Sequence, residues 1–150
     1  MSIRIASLAD APMVAKIISR ANKAIAQKFG LTRKNTPKHP SFCTKDWVVA
    51  DLKRNEQYFI YETAGKAVGC VAYESAEKDL AFLNRLAVLP EFQGRGIGKK
   101  LLSHLFGHAR AHHKEVISIG IIAANHLLKN WYETLGFIPL ETKNIYPPAL

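Results

Sequence analysis

The chain has only two cysteines, Cys43 and Cys70, and they lie in different segments. Two distant cysteines form neither a disulfide framework nor a pair with metal-ligand spacing, so reduced thiols in a reducing compartment are expected. No apolar run approaches the roughly 20 residues that a membrane span needs. The first residues contain no secretory hydrophobic segment. These absences predict a cytoplasmic protein with no membrane partner.

Acidic residues are also scarce, because 12 Asp and Glu face 21 Lys and Arg, which gives a formal net charge of +9. A basic chain suits an anionic partner such as nucleic acid, an acidic membrane or a polyphosphate cofactor. The basic residues are spread along the chain and form no dense run. This spread disfavours a nucleic-acid-binding arm, so only the net charge supports a nucleic-acid-binding module.

The length of 150 residues, 48% of them hydrophobic, predicts a single domain over residues 1–150. Hydrophobic periodicity and turn residues predict a β-α-α-β-β-β-α-β-α-β order. The antiparallel hairpin and the later strand-helix-strand unit together predict a mixed sheet in an α/β (α+β) fold. The predicted strands are 2–6, 58–62, 67–73, 80–89, a buried strand over 116–122 and one from Phe137; the predicted helices are 10–29, 44–55, 96–112 and 125–135.

A glycine-spaced turn follows the strand that stops at Pro90. Gly94, Gly96 and Gly98 leave backbone N–H groups uncovered, and the helix that starts there adds unpaired N–H groups and partial positive charge. Together they predict a phosphate or pyrophosphate site, with charge from Arg95 and Lys99 nearby. A plain tight turn is the alternative that the glycines alone leave open.

Two familiar phosphate-binding patterns do not fit this turn. A P-loop requires Gly-Lys-Ser/Thr, whereas the chain has Gly98-Lys99-Lys100. A dinucleotide-binding fingerprint has the spacing G-x-G-x-x-G, whereas the spacing here is G-x-G-x-G after a mixed sheet.

The run Gln93-x-x-Gly96-x-Gly98 resembles the acetyl-coenzyme A signature of GNAT N-acetyltransferases, Gln/Arg-x-x-Gly-x-Gly/Ala, and the preceding segment 86–91 is also typical of that family. The resemblance implies a mixed, mostly antiparallel central sheet with a splayed parallel strand pair and flanking helices. It also implies acetyl-coenzyme A as co-substrate, with its pyrophosphate on the loop amides and its pantetheine arm along the strand that ends near Leu89. An N–H near Val88 would meet the oxyanion. The implied cofactor contacts are Leu86, Ala87, Val88, Gln93, Gly94, Arg95, Gly96, Ile97, Gly98, Lys99, Asn125 and Tyr132.

A second run, from Asn125 through Trp131-Tyr132 to Gly136-Phe137, resembles the final helix of the same family. The resemblance implies that Tyr132 is the general acid that protonates the departing thiolate. A phenol donates a hydrogen bond throughout the physiological pH range. Taken alone, Tyr132 would be a half-buried core aromatic. Asn125 fits a helix N-cap, a cofactor contact or both.

The attacking amine must lose a proton, and many GNAT enzymes use a glutamate on the strand before the glycine loop. The segment 80–86 has no acid, and Asn84 stands where relatives often carry that glutamate. We expect water-mediated proton removal with Asn84 as a catalytic positioning group. Nearby candidates for a base are Glu74, Glu77 and Asp79, although each is expected as a solvated turn residue, and weaker candidates are His39 and His126.

The segment 31–43 holds two prolines and no periodicity, so it predicts a long loop, either a mobile surface loop or a binding element. It falls where the family builds acceptor specificity, and the resemblance implies that His39 and Phe42, together with Asn84, bind the acceptor. No metal is expected, because the aligned histidines of the 96–112 helix have no cysteine or carboxylate beside them.

The resemblance implies direct transfer of acetyl to a primary amine of a small molecule or peptide in a ternary complex. A non-catalytic acyl-coenzyme A-binding or sensing domain is the alternative, favoured by Asn84 and opposed by Tyr132. The net positive charge disfavours a polycationic acceptor unless the local pocket is acidic. Homodimers are common in the family, and the sequence shows no interface.

Overall fold

The computed structural model describes residues 2–120 and 126–138. Within them the order of helices and strands agrees with the prediction and confirms the mixed fold class. Phe137 and Ile138 are not in a strand, and the rest of the last predicted strand lies outside the described residues. The elements are β1 (Ser2–Ile5), α1 (Ala11–Lys28), α2 (Lys45–Lys53), β2 (Gln57–Thr63), β3 (Lys66–Ser75), β4 (Leu80–Val88), α3 (Ile97–Ala111), β5 (Val116–Ser118) and α4 (His126–Thr134), with short 3-10 turns at Leu8–Asp10, Pro40–Phe42 and Pro90–Phe92.

The five strands form one sheet in the order β1-β2-β3-β4-β5. The first four are antiparallel neighbours, and β4 and β5 are parallel. β5 pairs only with Leu80, Ala81 and Phe82. Beyond Phe82, β4 has no partner strand on that side in the described part of the chain. The parallel pair is therefore splayed, as the resemblance implied.

The last described strand is shorter and less buried than predicted. β5 covers Val116–Ser118, and Val116 is 52% exposed. Residues 119 and 120 are outside the strand, and 121 and 122 lie outside the described residues. The β-branched composition indicated a buried strand, but among the described residues this three-residue strand has a neighbour on one side only, β4.

Helices cover both faces of the sheet. In β2, Tyr58 hydrogen-bonds Asp51 of α2, while the next residue, Phe59, packs its ring against His104 and His108 of α3. Successive side chains of a strand point to opposite faces, so α2 and α3 lie on opposite sides. α1 packs against α2 and against β3 and β4. None of the described helices is both long and apolar enough to cross a bilayer.

A β-bulge interrupts the pairing of β3 with β4. Cys70 pairs with Ala87, but Ala72 pairs with Asn84, so one β3 residue opposes two residues of β4. Arg85 in the bulge has a left-handed φ of 57°. Asn84 pairs with Ala72, which in turn pairs with Tyr58. Paired residues share a face, so Asn84 is on the α2 side of the sheet.

Candidate active site

The glycine-spaced turn has an open outer surface. Gly94 and Gly96 have φ values of 78° and 79°, and a Cβ added at either would meet no atom within 4 Å. Backbone conformation, and not lack of space, therefore requires glycine at these two positions. Gly96 is the N-cap of α3, and no side chain among the described residues caps that end. The first N–H groups of α3 are thus left for a ligand or water.

Side-chain contacts hold this turn to the rest of the fold. The Gln93 Nε2 donates to the carbonyl oxygen of Val88 at 3.0 Å. The Arg95 Nη2 donates to the backbone oxygen of Glu91 at 3.2 Å, and its guanidinium lies 5.0 Å from the ring centroid of Phe92. The Glu91 carboxylate binds Arg20 of α1 at 3.0 Å. Gln93 and Arg95 thus orient the turn through their side chains, and both remain exposed.

The backbone at the end of β4 has a donor directed toward the splayed edge. The N–H of Leu89 donates to the carbonyl oxygen of Val68, on the β3 side, at 2.9 Å. Backbone groups alternate sides along a strand, so the N–H of Val88 faces away from β3. The Val88 N–H therefore points to the side of β4 on which β5 lies, but beyond the end of β5. The predicted oxyanion donor near Val88 therefore has a suitable orientation.

α4 brings the second sequence signature to the first. An atom added as Cβ on Gly98 would lie 3.5 Å from the Cη2 of Trp131, which places the indole across the first turn of α3. Tyr132 is 6% exposed, with its ring 5.0 Å from that of Trp131 and 5.4 Å from that of Phe137. Tyr132 is thus more buried than the sequence alone suggested. Asn125 lies outside the described residues.

Asn84 joins two carboxylates. Its Nδ2 donates to the Glu56 Oε1 at 3.1 Å and to the Glu74 Oε1 at 3.2 Å. Glu56 is 4% exposed, whereas Glu74 and Asn84 are half-buried. The position that often holds a glutamate in the family therefore holds an amide with an acid on either side. We name Glu56, Asn84 and Glu74 the amide–carboxylate cluster.

Further ion pairs surround Glu56. Its Oε2 accepts from the Arg54 Nη2 at 2.6 Å, and the same nitrogen donates to the Asp51 Oδ1 at 2.8 Å. The other Asp51 oxygen accepts from the Tyr58 hydroxyl at 2.5 Å and lies 3.6 Å from the Arg85 Nε. Burial, together with the nearby charges of Asp51 and Glu74, raises the pKa of Glu56 to about 7.

Around Glu56, acidic side chains outnumber basic ones, whereas the whole chain has more basic residues than acidic ones. With Glu74, the buried carboxylates Asp51 and Glu56 face two guanidiniums, those of Arg54 and Arg85, so full ionisation leaves a surplus negative charge. At pH 7 this surplus is smaller, because the pKa of Glu56 is about 7.

Comparison with known proteins decides the family, because the family model described as the acetyltransferase (GNAT) family matches residues 22–137. The chain belongs to the GNAT family. The matched range contains the glycine-spaced turn, the amide–carboxylate cluster and α4.

Individual GNAT proteins show how far this likeness extends. The chain is 33% identical over 88 residues to the [ribosomal protein bS18]-alanine N-acetyltransferase of Salmonella typhimurium, covering 58% of the chain and 60% of that protein. It is 28% identical over 142 residues to the L-amino acid N-acyltransferase MnaT of Escherichia coli, covering 92% and 80%. For three of the curated relatives, the alignment spans only 41% to 62% of the relative's length.

The fold likeness extends over almost the whole chain. The structure of yncA from Salmonella typhimurium, a putative acetyltransferase solved with its cofactor acetyl-CoA, superposes with a TM-score of 0.71 at 24% identity. The superposition covers 94% of this chain and 81% of that one. At this identity the likeness concerns the fold.

The loop over 31–43, where GNAT proteins vary, is held together from within. His39 is 1% exposed, and its Nδ1 accepts from the Ser41 N–H at 3.2 Å and lies 2.8 Å from the Ser41 hydroxyl oxygen. Burial lowers the pKa of His39 to about 4, so its ring is neutral at pH 7. Phe42 is half-buried, with the Arg33 guanidinium 5.1 Å from its ring centroid. His39 thus supports the loop from inside, and acceptor binding by His39 and Phe42 stays a prediction.

The other candidate bases lie elsewhere. Glu77 and Asp79 are exposed in the turn between β3 and β4, as expected for solvated residues. The His126 side chain lies outside the described residues. The His104 and His108 rings pack against Phe59, each within 5.1 Å of its centroid. Within 2–120 and 126–138, no three His, Cys, Asp or Glu side chains are grouped to hold a metal.

Sequence reasoning missed Glu56 because it sought an acid on β4 and in the turn after β3. Glu56 precedes the first residue of β2, far from Asn84 in sequence. The observed order of the strands shows how the two residues meet, since in three consecutive antiparallel strands the start of β2, the end of β3 and the start of β4 lie at one end of the sheet.

Proposed function

We propose that the chain transfers an acetyl group from acetyl-coenzyme A to a primary amine of a small molecule or peptide, by direct attack in a ternary complex. The observation that carries this proposal is the open glycine-spaced turn, which joins the splayed edge of β4 to an uncapped helix start in a chain of the GNAT family. The activities named for MnaT and for the bS18-alanine acetyltransferase support it.

Coenzyme binding is assigned to the turn and the adjacent strand. The N–H groups of the turn and of the first turn of α3 would hold the pyrophosphate, a common use of a helix N-terminus. The edge of β4 beyond Phe82, which no described strand pairs with on that side, would take the pantetheine arm. The proposed contacts are Leu86, Ala87, Val88, Gln93, Gly94, Arg95, Gly96, Ile97, Gly98, Lys99, Asn125 and Tyr132.

Three groups of the protein would assist acetyl transfer. The N–H of Val88 would stabilise the negative oxygen of the tetrahedral intermediate, and one such donor contributes about 3 kcal/mol. The Tyr132 hydroxyl would protonate the sulfur as the carbon–sulfur bond breaks. Asn84 would orient the acceptor nitrogen or a water bound beside it. The acceptor nitrogen gains the acetyl carbon and loses one proton, and the sulfur gains one.

A non-catalytic acyl-coenzyme A sensor is the second candidate function, favoured by the amide at position 84. Placement in the cytoplasm is supported by the two free, buried cysteines. A homodimer stays a prediction of the resemblance.

Thermal melting and thiol release distinguish these functions. We expect acetyl-coenzyme A and free coenzyme A to raise the melting temperature and RNA to leave it unchanged. We then expect free thiol to accumulate with acetyl-coenzyme A and at least one amine of a panel of amino acids, polyamines and peptides. Stabilisation by coenzyme A without thiol release from any amine would favour the sensor. Stabilisation by RNA alone would contradict both candidates.

A further inference from the structure

We propose that Glu56 accepts the proton of the acceptor amine, held in place by Asn84 and flanked by Glu74. This inference rests on the proposed acetyl transfer and names the base that β4 lacks. The observation behind it is the pair of hydrogen bonds from the Asn84 Nδ2 to the two glutamates, at 3.1 and 3.2 Å.

The side-chain amide of Asn84 allows it to contact both the base and the acceptor, because it has two donors and an acceptor oxygen. Each N–H of an asparagine side chain donates one hydrogen bond, and both of those of Asn84 are directed at carboxylates. Its oxygen can only accept, so an ammonium group or a water that belongs to the acceptor would donate to it.

The surroundings of Glu56 suit a proton acceptor at neutral pH. The carboxyl is buried, Asp51 and Glu74 face it with negative charge, and Arg54 faces it with positive charge. Arg85 and Tyr58 act one step away, on Asp51. The resulting pKa of about 7 keeps a substantial ionised fraction while making the proton transfer from an amine less unfavourable than at an ordinary carboxylate.

The access route follows from the two oxygens of Glu56. Oε2 is covered by Arg54, whose own side chain is 59% exposed. Oε1 faces Asn84, which is half-buried, so the proton arrives on that side, directly or through one water. Asn84 lies four residues before Val88, and the bulge at Arg85 bends the strand between them. The acceptor would therefore approach β4 from the α2 side.

The proton balance has two parts. The acceptor arrives as R–NH3⁺ and gives one proton to the Glu56 carboxylate, which leaves a neutral amine and a carboxylic acid. The neutral nitrogen then forms the bond to the acetyl carbon, the carbon–sulfur bond breaks, and the second nitrogen proton replaces the one that Tyr132 gives to the sulfur. Glu56 returns to its ionised form by releasing its proton to solvent.

The test compares Glu56→Gln with the wild type and with Glu115→Gln, which removes an exposed carboxylate just before β5. The rate with the best amine of the panel is measured between pH 6 and pH 9. We expect Glu56→Gln to lose about 100-fold or more in kcat/KM at pH 7. The loss should shrink by about tenfold per pH unit as the amine deprotonates by itself. The coenzyme A dissociation constant and the circular dichroism spectrum should match those of the wild type.

The outcomes separate the inference from the function on which it rests. A wild-type protein that acetylates no amine overturns the acetyltransferase function, and this inference with it. An active wild type whose Glu56→Gln variant keeps the same rate, or loses the same factor at every pH, overturns the role of Glu56 alone. Should Glu56→Gln misfold, Glu56→Asp must retain the pH-dependent defect in reduced form, and a flat profile there also contradicts the proposal.

Discussion

The indole of Trp131 lies across Gly98, with its Cη2 3.5 Å from the position of a Cβ on that glycine. The contact joins α4 to the start of α3, so the aromatic part of the second sequence signature rests on the glycine-spaced turn of the first. A spacing of 3.5 Å is ordinary van der Waals contact. Gly98 therefore differs from its neighbours Gly94 and Gly96, which are glycines because of their positive φ.

This difference predicts unequal effects of two alanine substitutions on stability. Gly96→Ala places a side chain in a left-handed conformation and should lower the free energy of unfolding by about 1–2 kcal/mol. Gly98→Ala should change it by less than about 0.5 kcal/mol, since its φ is unstrained and Trp131 leaves room. Urea denaturation of both variants measures the difference. Equal losses would show that the turn tolerates no Cβ at either position.

Tyr132→Phe tests the proton donor. Removing the hydroxyl should lower kcat by roughly 100-fold while leaving the acetyl-coenzyme A dissociation constant within about twofold, because the ring packing against Trp131 and Phe137 is kept. Tyr61→Phe, which removes a hydroxyl from a buried tyrosine of β2, is the matched control. Steady-state kinetics and calorimetry supply the two values. An unchanged kcat would remove Tyr132 from the mechanism.

Asn84→Ala should lose turnover because it releases both carboxylates of the amide–carboxylate cluster. The hydrogen bond from Asn84 lowers the pKa of Glu56, so its loss should also move the acidic limb of the pH–rate profile to higher pH. Coenzyme A binding should stay unchanged. Full kcat in this variant would exclude Asn84 as a positioning group.

The raised pKa of Glu56 has a consequence for stability. The folded state holds a proton on Glu56 up to about pH 7, whereas an ordinary glutamate, as in the unfolded chain, releases it near 4.5. Between these values the folded state binds more protons, so the wild type should lose stability relative to Glu56→Gln as the pH rises from 4.5 to 7. The expected change is on the order of 1–3 kcal/mol. Denaturation of both proteins at pH 4.5, 6 and 7.5 measures it, and parallel curves would contradict the shift.

Local patterns predicted most of the fold, and long-range contacts account for what they missed. The helical spacing of Val14, Ile17 and Ile18 indicated α1, and all three side chains are buried. The short hairpin signal at Ala64-Gly65 correctly joined β2 to β3, since both residues have the positive φ of a two-residue turn. By contrast, the exposure of Val116 depends on the strands that flank β5 in the sheet, and the composition of the segment does not predict them.

In the candidate site, too, the contiguous features could be predicted from the sequence and the long-range contacts could not. Glycines and the helix start are contiguous, so the proposed coenzyme-binding segment could be predicted from the sequence. The contact of Asn84 with Glu56 spans 28 residues, and it depends on the register of three strands and on a bulge at Arg85. The burial of His39 likewise depends on how a proline-containing loop folds back on itself, which no periodicity describes.

In the part of the chain that the structure describes, the early end of β5 leaves the β4 backbone from Leu83 to Val88 without a partner strand on that side. A ligand with amide groups spaced along a linear chain can supply the missing donors and acceptors, and so behave as a surrogate strand. Coenzyme recognition along this stretch would then depend on main-chain geometry, and substitutions of the outward side chains there would leave it largely intact.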